Sequence, residues 1–403
     1  MRKWSVVILL GLGMVIAYVD RANLSSVLAF HDFRVAFHLS DTDRGLLNSA
    51  FFWSYAVLQI PAGWIVDRYG AKRPYAICFA LWSLASAASG FVQNIGQLTA
   101  ARLVLGVGES VSTAASLRWI RFNCAEQDRG LATGILFAGT KVGAAIGAPV
   151  TVFLVSRFNW RLMFLVSGVS GLVWLAAWVF GVGDERPAKV TPVGFVNSPV
   201  KMGNLLSHPA LWGILLGTFA YNYFIYFCLT WLPAYFTEAR HLSPRAMGFY
   251  TMFSFGGMAI VSVLAGWAAD RMIARGGDPV RTRKLFTLVG FVLASTEIVG
   301  MLTRSNGVAL FFAIFSLAGL GLATANYWAL TQTIFPQNAI GRIIGVQNCA
   351  SNLSGIAAAI LTGWLKQLTG GYGASGVAIL VVLLIGLASY GLLVREEPVK
   401  AGN

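Results

Sequence analysis

Charge is what this sequence has least of. Only 11% of its 403 residues are Asp, Glu, Lys or Arg, against about 25% in an ordinary soluble domain. Beside a hydrophobic content of 57%, that scarcity excludes a water-soluble globular domain. Cysteine is scarce as well. Cys78, Cys124, Cys228 and Cys349 stand in separate segments with no CxxC spacing, so they read as small apolar residues, not as metal ligands or a disulfide framework. None of the four histidines falls in the middle of an apolar segment, and no catalytic Ser/His/Asp set or phosphate-cradling loop is present. An enzyme is therefore not expected, and no cofactor or metal is called for. The alternation that barrel strands require is missing. The first apolar segment is too long and too polar for a cleaved signal peptide, and no small-residue cleavage site follows it. The formal charge of +14 is scattered through short loops with no aromatic-interleaved patch, so nucleic acid is not an expected partner.

What the chain has is apolar runs of about 20 residues, the length that crosses a bilayer as a helix. Twelve such spans are expected, near 6–30, 46–66, 74–92, 96–118, 130–155, 161–182, 209–236, 246–269, 285–303, 307–334, 342–365 and 374–394. With the N-terminus inside, nineteen Lys and Arg fall in inside segments and eight in outside ones. That bias places both termini in the cytoplasm. The longest polar stretch, 183–207 with Asp184-Glu185-Arg186-Pro187, reads as a cytoplasmic linker. It separates an N-terminal six-helix bundle, 1–182, from a C-terminal one, 208–403. A monomer in the lipid bilayer is expected.

The halves repeat. Gly63-Trp64-Ile65-Val66-Asp67-Arg68-Tyr69-Gly70-Ala71-Lys72-Arg73 follows span two, and Gly266-Trp267-Ala268-Ala269-Asp270-Arg271 follows span eight, 203 residues later. The second copy lacks the trailing glycine and basic pair. Parallel six-helix repeats are the signature of an alternating-access transporter. Glycine permits close helix approach, and the aspartate can accept from a nearby cation or helix N-terminus, with Arg118 or Arg121 as candidates for Asp67. Gly63, Asp67, Arg68, Gly70, Asp270 and Arg271 are the expected conformational-gating residues.

Gly63 to Arg73 matches the loop signature of the major facilitator superfamily, which the whole chain resembles. Span five carries Gly134, Gly143, Gly147 and Pro149, close to that family's glycine-proline pattern, with Ala148 inserted. Within the superfamily, Tyr18-Val19-Asp20-Arg21-Ala22-Asn23-Leu24 and Arg102…Gly106-Val107-Gly108-Glu109 resemble the anion:cation symporters, among them galactonate, glucarate, hexuronate and phthalate permeases. The resemblance implies an all-α fold of twelve transmembrane helices in two bundles, with spans 1, 4, 7 and 10 lining a central path.

Asp20, Arg21, Arg102, Glu109, Lys141 and Glu297 lie inside spans, where each charge costs roughly 2.5–3.5 kcal/mol on insertion scales and marks function by default. Arg102 and Glu109 are seven residues apart and share a helix face. Asp20 and Arg21 are adjacent, hence about 100° apart, and pair poorly with each other. An ion pair that merely orders helix packing is the plainer reading of these residues. By resemblance to galactonate-type symporters, Asp20 and Glu109 match the proton-coupling acids, Arg21 the substrate-carboxylate ligand, Arg102 the cation that tunes the neighbouring acid, and Tyr55 a substrate-contact tyrosine. Tyr18 joins them. Lys141 departs from that pattern, which has an uncharged polar residue there. It either binds a second carboxylate or pairs with Glu109 and holds it ionised. In the C-terminal half, Asn222 in span seven and Asn352 in span eleven are the best polar ligands, with Tyr221, Tyr226, Asn326, Gln347 and Asn348 as further candidates. Interhelical glue is the plainer reading of each. Glu297 stays outside the expected site.

The expected function is import of a small organic anion, a sugar acid or other carboxylate, together with protons. The alternatives are an organic-anion exchanger, a potential-driven carrier, or a transporter-like sensor.

Overall fold

The computed structural model describes residues 2–124, 126–183, 208–335 and 340–394, without the side chains of Ile60, Asp67, 126–131 and 340–342. The expected linker therefore lies outside the described residues except for its first position. The described residues form helices and no strands. In order these are α1 (Lys3–Val27), α2 (His31–Ala36), α3 (Asp41–Tyr69), α4 (Lys72–Ala88), α5 (Ile95–Glu109), α6 (Ser112–Asn123), α7 (Glu126–Arg157) and α8 (Trp160–Gly181). The second half follows with α9 (Pro209–Thr230), α10 (Pro244–Ala274), α11 (Pro279–Ser295), α12 (Glu297–Leu302), α13 (Asn306–Ile334), α14 (Ile340–Thr369) and α15 (Gly373–Ala388). A turn, Leu232–Ala234, runs into a π-helical stretch, Tyr235–Ala239, after α9.

Ten helices, or helices with their continuation, are long and apolar enough to cross a membrane. Two of the twelve expected spans are not among them. The second is α3, 29 residues long but interrupted by Asn48, Ser49, Ser54 and Gln59. The fourth is broken in two, α5 ending at Glu109 and α6 beginning at Ser112. Large apolar side chains face outward along the helices, among them Phe180 at 88% and Val263 at 72% exposure. In lipid that exposure is favourable, because hydrocarbon replaces water around them.

The chain divides into two compact units that do not follow the linear halves. One comprises Met1–Val190 with Leu229–Met252, the other Thr191–Cys228 with Phe253–Asn403. The expected boundary at 208 thus assigns 229–252 differently. The difference arises because the segment after α9 packs on α1 and α3: Thr237 Oγ1 lies 3.5 Å from the Ala29 carbonyl and Asn48 Nδ2 3.5 Å from that of Thr230.

In the first unit α1 and α7 pack closely. A β-carbon on Gly143 would stand 2.8 Å from Tyr18 Cβ, and one on Gly147 2.7 Å from Ala22 Cβ. The missing side chains let the two backbones meet. In the second unit α11 packs along α13 in the same manner, with Gly290 against the Ala323 backbone nitrogen at 2.9 Å.

The repeated motif lies within helices, not in loops. Nothing breaks α3 until Gly70, whose φ of 79° is in the region that favours glycine. Arg68 stacks 5.3 Å over Trp64, and Arg271 likewise 5.3 Å over Trp267, so the two copies match in side-chain arrangement. Asp270 takes a 2.9 Å bond from Arg283, a partner that sequence spacing did not suggest. The side chain of Asp67 lies outside the described residues. The close approach expected at Gly63 is absent here, since a β-carbon there meets nothing within 4 Å.

Overpacking a tight seam costs about 1–3 kcal/mol. Gly143→Val is therefore expected to lower the thermal unfolding midpoint of the detergent-purified protein by several degrees. Gly63→Ala should leave it unchanged or slightly raised.

Candidate functional site

Arg21 and Asp20 sit in the last third of α1, both nearly unexposed at 6% and 0%. Adjacent on the helix, they point about 100° apart, and each finds its own partners. Arg21 Nε donates to Glu109 Oε2 at 2.8 Å, an ion pair between α1 and the last residue of α5. The guanidinium carbon lies 4.6 Å from the ring of Tyr18, 4.7 Å from Phe51 and 4.7 Å from Tyr55. Phe51 and Tyr55, one turn apart on α3, stack at 5.1 Å. Arg21 is thus held in a cage of three rings and one carboxylate. Cation–π contacts of this kind contribute about 2 kcal/mol or more when desolvated.

The sequence around Glu109 makes this geometry possible. Gly106 lies against the Phe51 carbonyl and Ser54, and Gly108 against Cys78 and Trp82, so α5 approaches α3 and α4 closely. Ser54 Oγ also donates to the Leu103 carbonyl at 2.7 Å. The helix then breaks at Ser110–Val111, leaving Glu109 at its end.

Asp20 has no cation on its carboxylate among the described residues. Its Oδ1 accepts from Asn23 Nδ2 at 3.2 Å, from Ser86 Oγ of α4 at 3.0 Å, and from Ser167 Oγ of α8. Oδ2 has no hydrogen-bond partner there, and neither has Glu109 Oε1. Arg102, 3% exposed, donates Nη1 at 3.2 Å to the backbone carbonyl of Asp20, not to its carboxylate. Arg102 and Glu109 both reach α1, as their seven-residue spacing predicts. A small cleft is lined by Arg21, Arg102, Asn48, Phe51, Phe52, Leu229 and Thr230, so two guanidiniums border one space.

Lys141 stands apart. It makes no ion pair with Glu109, whose carboxylate faces Arg21. Asn222 and Asn352 belong to the second unit; both are buried, and their amides donate to carbonyls of their own helices, Thr218 at 2.9 Å and Asn348 at 3.0 Å. Nearby, Gln347 Nε2 donates to Thr218 Oγ1 at 2.8 Å, and Tyr221 shares a 2.8 Å bond with Thr324. Glu297 is buried and accepts from Ser316 Oγ of α13 at 2.5 Å.

Sequence reading missed Ser86 and Ser167, which are indistinguishable from the small residues of any packed helix. It also missed Phe51, although its place one turn before Tyr55 was a usable signal. A second charged cluster lies beyond α1. Arg44, 1% exposed, bonds Asp41 Oδ1 at 2.7 Å and Glu238 Oε1 at 2.8 Å, and packs 4.9 Å from the Trp231 ring. Arg34 joins the same Glu238 oxygen at 2.8 Å.

The sequence profile described as the Major Facilitator Superfamily matches residues 10–359. The chain belongs to that superfamily. It is an integral, multi-pass membrane transporter and not an enzyme. Among similar proteins, the D-galactonate transporter of Escherichia coli is 30% identical over 420 aligned positions, covering 98% of this chain and 96% of that protein. A probable sulfoacetate transporter of Cupriavidus necator is 28% identical, covering 96% and 94%. The structure of a bacterial homologue of the human lysosomal transporter Spinster, inward-facing and occupied, superposes with a TM-score of 0.83 at 18% identity, covering 98% of this chain and 97% of that one. The last likeness shows the fold alone.

Breaking a buried ion pair by removing one partner costs about 3–5 kcal/mol, whereas replacing both by apolar residues is often neutral. Glu109→Leu is expected to destabilise the protein strongly, and Arg21→Met with Glu109→Leu to recover most of the loss. Thermal unfolding in detergent checks both; additive losses would mean that the pair is not coupled.

Proposed function

We propose that this transporter imports a small organic anion with protons, by alternating access, with both termini in the cytoplasm of a bacterial cell. The observation that carries this reading is the Arg21–Glu109 pair inside its aromatic cage. Arginine's planar fork suits a carboxylate, and Glu109 already occupies it. A substrate carboxylate and Glu109 therefore compete for the same donors. Protonating Glu109 removes its charge and frees Arg21 for the substrate. Losing that proton to the cytoplasm restores the pair and expels the anion.

Asp20 supplies the second proton site. Its carboxylate is met by three neutral donors and by no cation, and one oxygen stands without a donor among the described residues. A proton on that oxygen removes a buried charge without breaking an ion pair. Arg102 ties the Asp20 backbone to α5, so the two acids are linked mechanically. Ionised, Asp20, Arg21, Arg102 and Glu109 carry no net charge; doubly protonated, they attract an anion. The galactonate-transporting relative supports a carboxylate as the cargo. The Asp41–Arg44–Glu238–Arg34 cluster supports a closed outer end, because the carbonyls of Ala29 and Thr230 are bonded across the same region.

In proteoliposomes, an inward proton gradient is expected to accelerate uptake of galactonate or a related acid; indifference to the gradient would favour exchange or potential-driven transport. Asp20→Asn should keep substrate counterflow yet lose gradient-driven accumulation, and equal loss of both would leave Asp20 a structural residue.

Removing the charge from Glu238 loosens the outer cluster. In Glu238→Gln, labelling of an Asn48→Cys side chain by an impermeant maleimide should rise severalfold from outside. Unchanged labelling would mean that the cluster does not close the path.

A further inference from the structure

Arg102 is an interior charge that the mechanism above leaves without an anion. It lies mid-way along α5 and is 3% exposed. Its Nη1 donates to the Asp20 carbonyl at 3.2 Å, and its Nε has no hydrogen-bond partner among the described residues. No described carboxylate forms an ion pair with it. Glu109, two turns along the same helix, faces Arg21, and Asp20 Oδ1 is taken by Asn23, Ser86 and Ser167. A neutral donor would suffice to hold one backbone carbonyl. An unpaired guanidinium at membrane depth is costly and is kept for a function.

Arg102 and Arg21 border the same small cleft, and every residue that lines it belongs to the first unit. The bond to the Asp20 carbonyl fixes the position of Arg102 there, because Asp20 immediately precedes Arg21 on α1. Phe51, Phe52 and Leu229 give the cleft apolar walls. Such walls reduce screening, so a charge inside feels both guanidiniums more strongly than it would in water. Asn48 adds a neutral amide, whose Nδ2 lies 3.5 Å from the Thr230 carbonyl, a long and weak contact.

We infer that Arg102 is a second ligand of the transported anion, so that one carboxylate is clasped between two guanidiniums. A carboxylate has two oxygens and about four lone-pair directions, enough to accept from two arginine forks at once. A small cleft with two cations suits one such head group, with the rest of the acid extending away from it. The charge of Arg102 stands in the cleft whether or not Glu109 holds a proton. Arg102 therefore meets the anion first, and Arg21 joins it when protonated Glu109 lets go. The inference rests on Arg21 as a ligand of the substrate carboxylate.

The test is affinity as a function of pH, measured by calorimetry on the purified full chain. Galactonate, glucarate and glucuronate are the probes, and the acid that the wild type binds tightest is carried into the variants. Arg102→Gln should weaken binding about tenfold or more at acid and alkaline pH alike, without moving the midpoint of the pH dependence. Arg102→Lys should recover part of the loss. A residue that only tunes a neighbouring acid gives the opposite pattern, a displaced midpoint with the maximal affinity kept. That pattern, or an unchanged affinity, overturns the inference. Asn48→Asp tests the cleft without touching either arginine. Its carboxylate would occupy the two guanidiniums, so binding should fall about tenfold or more at alkaline pH; an unchanged affinity there also overturns the inference. This second variant decides the matter if ligand-free unfolding shows that Arg102→Gln is not folded. Arg21→Gln should lose the acid altogether. If it binds as the wild type does, or if the wild type binds none of the three acids, the underlying reading of Arg21 fails instead.

Discussion

A guanidinium buried inside a membrane protein needs an anion, and at Arg21 the Glu109 carboxylate answers that need. Three rings stabilise the cation through their faces but carry no charge to neutralise it. Desolvating each ion costs several kcal/mol, and their attraction offsets this only while both are present and well placed. The pair is therefore stable as a pair and poor as two separate ions. On the proposed reading that property makes it a switch: whatever neutralises Glu109 creates a demand for another anion at the same donors. The helix break after Glu109, the glycines of α5 and the stacked rings of α3 all hold this one contact in place.

The charged residues of this site were legible in the sequence because charge is rare in apolar helices and cannot be there by accident. Their pairing was not. Asp20 and Arg21 are neighbours in the chain, yet helix geometry sends one to serines on α4 and α8 and the other to α5. Ser86 and Ser167 carry no sequence signal, since a hydroxyl that bonds a carboxylate and one that bonds its own helix look alike. The membership of 229–252 in the first unit was equally hidden, because it depends on Glu238 meeting arginines nearly two hundred positions away. The repeated GWxxDR motif was legible as a repeat but misplaced as a loop: propensity alone stops α3 only at Gly70.

The two units differ in their interior chemistry. Among the described residues, Asp20, Arg21, Arg102, Glu109 and Lys141 lie in apolar spans of the first. The described interior of the second holds mainly hydroxyls, amides and tyrosines, with Gln347 on Thr218 and Tyr221 on Thr324 and Tyr327. Glu297 is the exception, and it is occupied by Ser316 at the contact of α12 with α13. Such groups offer directional hydrogen bonds without altering the charge balance. Charge is thus concentrated in the interior of one unit and neutral hydrogen-bonding groups in that of the other.

Charge balance then constrains the cargo. A site whose interior charges cancelled fully would gain nothing from an anion until a proton arrived, and would gain one charge per proton. This chain has an additional ammonium on a face turned away from the α1–α7 seam. On the proposed reading, an anion reaches Arg21 only after Glu109 takes a proton, while the charge of Lys141 does not depend on that proton.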